Sequence, residues 1–492
     1  MSVLPHDVVS DVHRSSAITR GWIPDLLGCV GVLLAALWLG LRPFVEPDHW
    51  WHLRVGQQIR STGNLVFSPD PWAAFADRDY IATQWLPEVA ASWAYELGGM
   101  GALLWLRTLF IILIALAVYT ACRSVSGPFA SSLTASLALL ASTASLNPRP
   151  QLVGFLLFAI TVLAWREMVR DHRPRWWLVP LFWVWACSHG LWTFGLAVSA
   201  LTLAGMFMTT GGRPDRAAAA RLFGLVAACV LATGLSPLGP RLWLTPFDVA
   251  GNASRVVNEW QPTPFNGAAA IIAAVIVIVA IIKSVFQRAR LWQLMHLALA
   301  VVCLFWMWRL VPLAVILAAP AAASSLGQPG QGTAISWPAA GRRAVALAAV
   351  AAVVLAGVIS AGEAGRSASR YPADTRAVDA ALDCLPAGDV VFTSNGLSGW
   401  LLWRHPDLTP VVDLRIEIYP WEHVQRYRVA RNAGPGWQEF IRDTGSDAAL
   451  LSSDSPLLQR LVSVSGWEIR ASSAGGVLAV GPGTTLDCPA TS

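Results

Sequence analysis

Residues 22–53 read WIPDLLGCVGVLLAALWLGLRPFVEPDHWWHL. Up to Leu41 they form an apolar run interrupted only by Asp25 near its start, which as a helix reaches across a hydrocarbon core of about 30 Å. Arg42-Pro43 follows in place of a small-residue cleavage site, so the run reads as a permanent span and not as a removable signal. A few positions later, two carboxylates, two histidines and two tryptophans fall between Glu46 and Leu53. Ionisable groups at that level are costly to hold in place and mark function. Two acids beside aromatic rings suit a site that handles a sugar and moves a proton.

Outward from this stretch, the apolar pattern recurs. Of 492 residues, 55% are apolar and 13% charged, where a soluble domain carries about a quarter charged. Mean hydropathy is +0.52. Further apolar runs lie near 102–121, 128–145, 151–166, 176–188, 191–209, 219–236, 267–283, 291–306, 310–324 and 344–361. With the first, they predict a polytopic α-helical membrane protein of about eleven transmembrane helices. Several are short for a span of about 20 residues and read as tilted or re-entrant.

The charges orient the bundle. With Arg14 and Arg20 in the cytoplasm, the inside loops hold Arg123 alone, then Arg166 to Arg175, Arg213 to Arg221, Lys283 to Arg290, and Arg342-Arg343. The outside segments carry Glu46, Asp48, Asp70, Asp77, Asp79, Glu88, Glu96, Asp248 and Glu259. That asymmetry follows the positive-inside rule and predicts a cytoplasmic N-terminus in the cytoplasmic (inner) membrane. The net charge of +5 comes from arginine in short loops, with Lys283 the single lysine, so it gives no reason to expect nucleic acid.

The first outside loop, about 43–100, is long for a connection. Trp50 to Ile59 and Gln84 to Leu97 have amphipathic helical spacing, and Trp-rich helices of that kind lie along a bilayer surface. Asn64 to Trp72 is turn-rich. The chain thus divides into a transmembrane module over 1–365, including this loop, and a C-terminal domain over 366–492. In the latter, Val390-Val391-Phe392, Pro410 to Asp413, Ala448 to Leu451 and Val477 to Val480 read as strands. Gly396 to Trp403, Trp437 to Asp443 and Leu457 to Val464 read as helices. Alternation of this kind predicts a small extracytoplasmic α/β domain with a partly parallel sheet. Of seven cysteines, only Cys384 and Cys488 lie there, and outside the cell they can pair.

The layout resembles the integral-membrane glycosyltransferases of the GT-C superfamily, within them a largely uncharacterised bacterial subgroup. The resemblance rests on Glu46 to Leu53 with Gly56, Asp70-Pro71, Gln84 to Glu88, Arg149-Pro150-Gln151, Ser188-His189-Gly190, Ser236 to Gly239, Glu259-Trp260-Gln261, Arg309, Gly399-Trp400-Leu401 and Val412 to Arg415. Two departures stand out: Glu46 where Asp is expected before Pro-Asp, and Ser188 where Asn is expected before His-Gly. The resemblance implies a membrane-embedded transferase using a polyprenyl-phosphate-linked sugar donor. Its acceptor would be a glycan, lipid or protein of the cell envelope, at the outer face of the membrane, with inversion at the anomeric centre. A transporter or flippase for lipid-linked saccharides and a non-catalytic membrane scaffold are the rival readings.

Such chemistry needs a base for the acceptor hydroxyl and cations for the departing phosphate. Asp48 is the expected base and Glu46 its assistant, although both can simply solvate a loop end. His49 and His52 share a helical face and suit the donor phosphate or interface hydrogen bonding. Trp51 can stack on a sugar or anchor at the interface. Arg309, Arg149 and His189 are the candidate phosphate groups, arginine because its planar fork makes two hydrogen bonds. Snorkelling to headgroups is the plain account of Arg309, and a tight turn that of His189-Gly190. Glu259 can fold over the same cavity or solvate its loop, and Glu88 reads as structural. Asp413 and Arg415 end a strand, where a ligand or a structural ion pair is expected. No cofactor is required; a divalent metal is possible, though no ligand set has metal spacing.

Overall fold

The computed structural model describes residues 23–209, 213–326, 339–362, 372 and 374–484. The transmembrane part opens with α1 (Ile23–Gly40), followed by surface helix α2 (Asp48–Thr62) and a two-stranded ribbon, β1 (Val66–Phe67) with β2 (Tyr80–Ile81). Helix α3 (Trp85–Arg123) follows, then α4 (Pro128–Ala141), α5 (Gln151–Asp171), α6 (Leu178–Ala186), α7 (Trp192–Met208) and α8 (Arg216–Gly234). After the short α9 (Thr245–Val256) come α10 (Ala268–Phe286), α11 (Leu291–Trp306), α12 (Val311–Ser325) and α13 (Ala339–Gly362).

Every apolar run of the sequence is a helix, and several of them are short, as the sequence reads. Among the described residues, seven helices are long and apolar enough to cross a membrane. α4, α7 and α11 are shorter apolar helices. α6 has 9 residues, about 14 Å, less than half the core of a bilayer. Helix α12 is the axis of the bundle: Val311 to Pro320 are all buried. Arg107, buried in α3, donates to the carbonyls of Gly40 (3.3 Å), Arg42 (2.7 Å) and Leu146 (2.6 Å). It thereby satisfies carbonyls left without a partner at the end of α1.

Helix α3 is two segments. Gly98 and Gly99 leave helical geometry, Gly99 at φ 56°, ψ −145°, a conformation that only glycine takes cheaply. The part before the break, with Trp93 and Leu97 exposed, is the expected surface helix. The part after it is a span.

The C-terminal unit comprises α14 (Arg376–Leu382), β3 (Val390–Thr393), α15 (Asn395–Arg404), β4 (Thr409–Pro410), α16 (Trp421–Arg431), α17 (Trp437–Asp443), β5 (Ala448–Leu451), α18 (Pro456–Ser465), β6 (Glu468–Ser473) and β7 (Gly476–Val480). Its sheet runs β4-β3-β5-β7-β6, with β4, β3 and β5 parallel and β7 antiparallel to both neighbours. The expected second strand is shorter than read. Its ladder covers Thr409–Pro410, because Asp413 turns away to pair with Arg415 at 2.5 Å. Cys384 is disulfide-bonded; Cys488 lies outside the described residues.

This unit does not keep a core to itself. Trp51, Val55, Ile59, Phe67 and Trp72 of the first loop share one buried cluster with Phe392, Leu402, Val411, Val412 and Tyr419. Buried Arg415 closes the joint, 2.6 Å from Asp70 of the loop. This settles the two accounts of Asp413 and Arg415 as an ion-pair brace. Loop and unit therefore lie at the same end of the bundle.

Candidate active site

Helix α2 starts at Asp48, directly behind Pro47. Asp48 thus stands in the first turn, where the partial positive charge of the helix N-terminus favours a carboxylate. Just before it, Glu46 is 5% exposed. One of its oxygens accepts from the Asp48 amide (3.2 Å) and the other from Asn147 (2.7 Å). The Glu46 carbonyl also accepts from His49 Nδ1.

Arg149 is the hub. It sits in the Asn147-Pro148-Arg149-Pro150 turn that leads into α5. One terminal nitrogen donates to Asp48 and the other to both oxygens of Glu259, while Nε lies 3.6 Å from Glu46 Oε2. Glu259 comes from the 3-10 turn Asn258–Trp260. The Trp308 amide donates to the carbonyl of Gln261 (2.9 Å), which brings Arg309 alongside. Arg309 stands 5.9 Å over the Trp260 ring and 3.1 Å from His189 Nε2. The Leu191 amide donates to His189 Nδ1 at 3.2 Å. A neutral imidazole has one lone pair, so it cannot accept from both Arg309 and Leu191.

On the other side of Arg149, His52 Nδ1 meets Glu88 at 2.7 Å, and Glu88 is fully buried. Here lies a cavity of about 280 Å³. Its polar end is His49, His52, Glu88 and Arg149, and its walls include Leu103, Leu106, Phe110, Leu152, Val153 and Val184. His49 Nε2, Glu88 Oε2 and Arg149 Nε are buried there without hydrogen-bond partners.

The electrostatics separate the acids. Burial pushes Glu46 up to about 7; Arg149 pulls it down, and Asp48 and Glu259 push it up again. Burial raises Asp48 too, but Arg149, His52 and Arg309 together outweigh it and hold the carboxyl below its usual range. Glu417, from the C-terminal unit, is likewise raised to about 7 by burial, with the Asp48 charge among the smaller contributions. Burial drives His49 down to about 3. With Nδ1–H given to a carbonyl, this neutral ring presents only an acceptor at Nε2, which suits a hydroxyl better than a phosphate oxygen. Burial also lowers His189, and the Arg309 and Arg149 charges lower it further.

The structure therefore brings together Glu46, Asp48, Arg149 and Glu259, sets Arg309 with His189 beside them, and puts His49 and His52 behind them. Trp51 stands apart: it is 7% exposed within the core shared with the C-terminal unit. Among the described residues, no group of three or more His, Cys, Asp or Glu is placed to hold a metal. The three carboxylates converge on a guanidinium instead. Asn147 is a polar group that the sequence reading passed over, and Glu88, read there as structural, meets His52 at the cavity. Asn147 lies two positions from Arg149 in a proline-framed turn, and Glu88 closes the matched Gln84 to Glu88 piece; those were the available signals.

No protein-family profile matches the chain, and neither does any curated protein. Fifteen chains among solved structures do match. One is the oligosaccharyltransferase of Archaeoglobus fulgidus tethered with an acceptor peptide, at TM-score 0.50 and 12% identity, over 86% of this chain and 68% of that one. Another is ArnT from Cupriavidus metallidurans bound to undecaprenyl phosphate, at TM-score 0.50 and 17% identity, over 93% of this chain and 98% of that one. Both are GT-C glycosyltransferases. At such identities the likeness establishes the architecture: this chain has a GT-C-like fold.

Proposed function

We propose that the protein is a membrane glycosyltransferase. It moves a sugar from a polyprenyl-phosphate donor to a hydroxyl of an envelope glycan, lipid or protein at the outer face of the cytoplasmic membrane. The observation that carries this reading is the meeting of Asp48, Glu46 and Glu259 on Arg149, beside Arg309 and at the polar end of an apolar cavity. The cavity takes the first part of the prenyl chain. The donor phosphate then lies between Arg149 and Arg309, where a phosphate oxygen accepts from Arg309 and from His189 Nε2–H together.

The reaction needs few groups. Asp48, kept ionised by Arg149, takes the proton of the acceptor hydroxyl as that oxygen attacks the anomeric carbon from the side opposite the phosphate. The bond from carbon to phosphate oxygen breaks, its electron pair stays with the phosphate, and the two guanidiniums stabilise the charge that develops. Glu46, raised to about 7, is the carboxylate matched to receive the proton from Asp48 and pass it to water.

Purified protein in lipid nanodiscs, given lipid-linked sugars extracted from a strain lacking the gene, tests this. Asp48→Asn keeps donor binding but loses at least about a thousandfold in turnover, the scale of an essential general base together with its electrostatic role. Turnover that survives this substitution, or bilayer translocation of the donor by the Asp48→Asn protein at the parent rate, refutes the reading in favour of a transporter.

A further inference from the structure

The C-terminal unit has a cavity of its own, lined by none of the residues that meet at Arg149. It measures about 470 Å³, within the range of ligand sites, and lies where β5 begins and β7 ends. Trp437, at the start of α17, and Trp467, just before β6, wall it; Gln438, Arg442, Ser446 and Asp447 line its edge. Trp467 is 7% exposed and part of the core, so its ring is a fixed platform. Gly445, at φ 62°, has no atom within 4 Å of where a Cβ would stand, which keeps the rim open. Gln438, Arg442 and Asp447 are exposed. Among the described residues their side chains make no hydrogen bond or ion pair, in contrast to the neighbouring Arg426–Asp443 pair at 2.5 Å.

The chemistry of this lining is specific. A pyranose or furanose presents a face of C–H bonds and a rim of hydroxyls. The C–H face loses water favourably against an indole, and an amide, a carboxylate or a guanidinium can each bridge two adjacent hydroxyls. Arg442 and Asp447 offset each other in charge, so the cleft favours a neutral ligand over a phosphate or a polyanion. Its position is equally informative. β3, β4 and β5 are parallel, and the chain beyond β4 reaches the first loop through Arg415 and Asp70. The cleft, at the start of β5, is across the sheet from that joint, at least ~13 Å away at about 3.3 Å per strand residue. None of its lining residues is among those that meet at Arg149, so a ligand there is not held by the acids.

We propose that this cleft is a second, non-catalytic saccharide site that holds neutral sugar units of a glycan at a distance from the membrane-proximal acids. It goes beyond the transferase reading and stands without it, because binding there requires no turnover. The test uses the full chain in lipid nanodiscs and saturation-transfer NMR, with neutral hexasaccharides of glucose, mannose, galactose and arabinose as probes and glycerol as the control. At least one hexasaccharide shows saturation transfer. Trp437→Ala, at a half-buried position, weakens its affinity about tenfold, as expected for the loss of one stacked ring. Gln438→Ala, at an exposed position, weakens it less, and Asp48→Asn leaves it unchanged. The proposal is overturned if none of the four sugars gives a signal above glycerol. It is equally overturned if the signal persists in the Trp437→Ala/Arg442→Ala protein, or if Asp48→Asn abolishes it.

Discussion

Two carboxylates two positions apart are both pulled down by the same arginine, yet end on opposite sides of their ordinary values, because burial outweighs that pull at Glu46 and not at Asp48. Asp48 takes a terminal nitrogen of Arg149 and stays ionised; Glu46 faces only Nε at 3.6 Å, and burial raises it to about 7. The sign for stability follows. A carboxyl raised above its ordinary value of 4.5 holds its proton more tightly in the folded protein. Its contribution to stability is therefore present at low pH and is lost as pH rises from about 4.5 through about 7. The sign for activity is the reverse, because only ionised Glu46 can receive a proton. Turnover in the parent protein rises with pH to a plateau just above 7, and Glu46→Gln flattens that limb while lowering the plateau. A limb unchanged in Glu46→Gln transfers the titration to Glu417, which burial raises into the same range. The sequence showed these charges and their types. It did not show that Arg149, 101 positions from Asp48 and 110 from Glu259, gathers them. Nor did it join His52 to Glu88, 36 positions apart, since each had an ordinary reading alone.

At the scale of elements, the site depends on how closely α2 lies on the first segment of α3. Gly56 makes the crossing possible: a Cβ there would stand 2.1 Å from the Glu88 carbonyl oxygen and 3.1 Å from Ser92 Cβ. His52 is one turn before Gly56, so this contact also sets the His52–Glu88 pair. Gly56→Ala must push the helices apart by more than an ångström. It should cost about 1–3 kcal/mol, as overpacking does, with a lower melting midpoint and reduced turnover. Gly251→Ala, in α9 with nothing within 4 Å of the new methyl, is the matched control and should be neutral or slightly stabilising. Equal melting points for the two variants would show that the crossing is slack. Elements with strong apolar periodicity were readable in advance. β6 was not, because none of Glu468–Ser473 is buried, so no face imposes alternation. α16 was missed for a related reason: only Val424, Tyr427 and Ala430 are buried, and charged residues surround them.

Across the whole molecule, the sequence divides into a transmembrane module and a C-terminal domain, yet the packing ties the two together. The loop tryptophans and the sheet share one core, Asn252 of α9 donates to the carbonyls of Ile416 (3.2 Å) and Tyr419 (3.0 Å), and Arg415 bridges Asp413 to Asp70. Arg415→Met leaves both acids buried and unpaired, and such a loss costs about 3–5 kcal/mol. The expected result is a lower melting midpoint with earlier proteolytic cleavage in the first loop. Adding Asp70→Asn and Asp413→Asn to Arg415→Met should restore most of the loss. A single substitution without effect on melting would mean that the brace is dispensable.

The Arg415–Asp70 bridge joins residues 345 positions apart. At about 5–20 residues per second, synthesis of that interval takes roughly 17–70 s. Throughout this time the early loop has been made while its partner surface does not yet exist. Trp51, Phe67 and Trp72 must wait, unsheltered, for the last quarter of the polypeptide. Biogenesis of this protein is therefore the stage at which chaperones and proteases have their opportunity, and truncation near the C-terminus should be read out first as degradation.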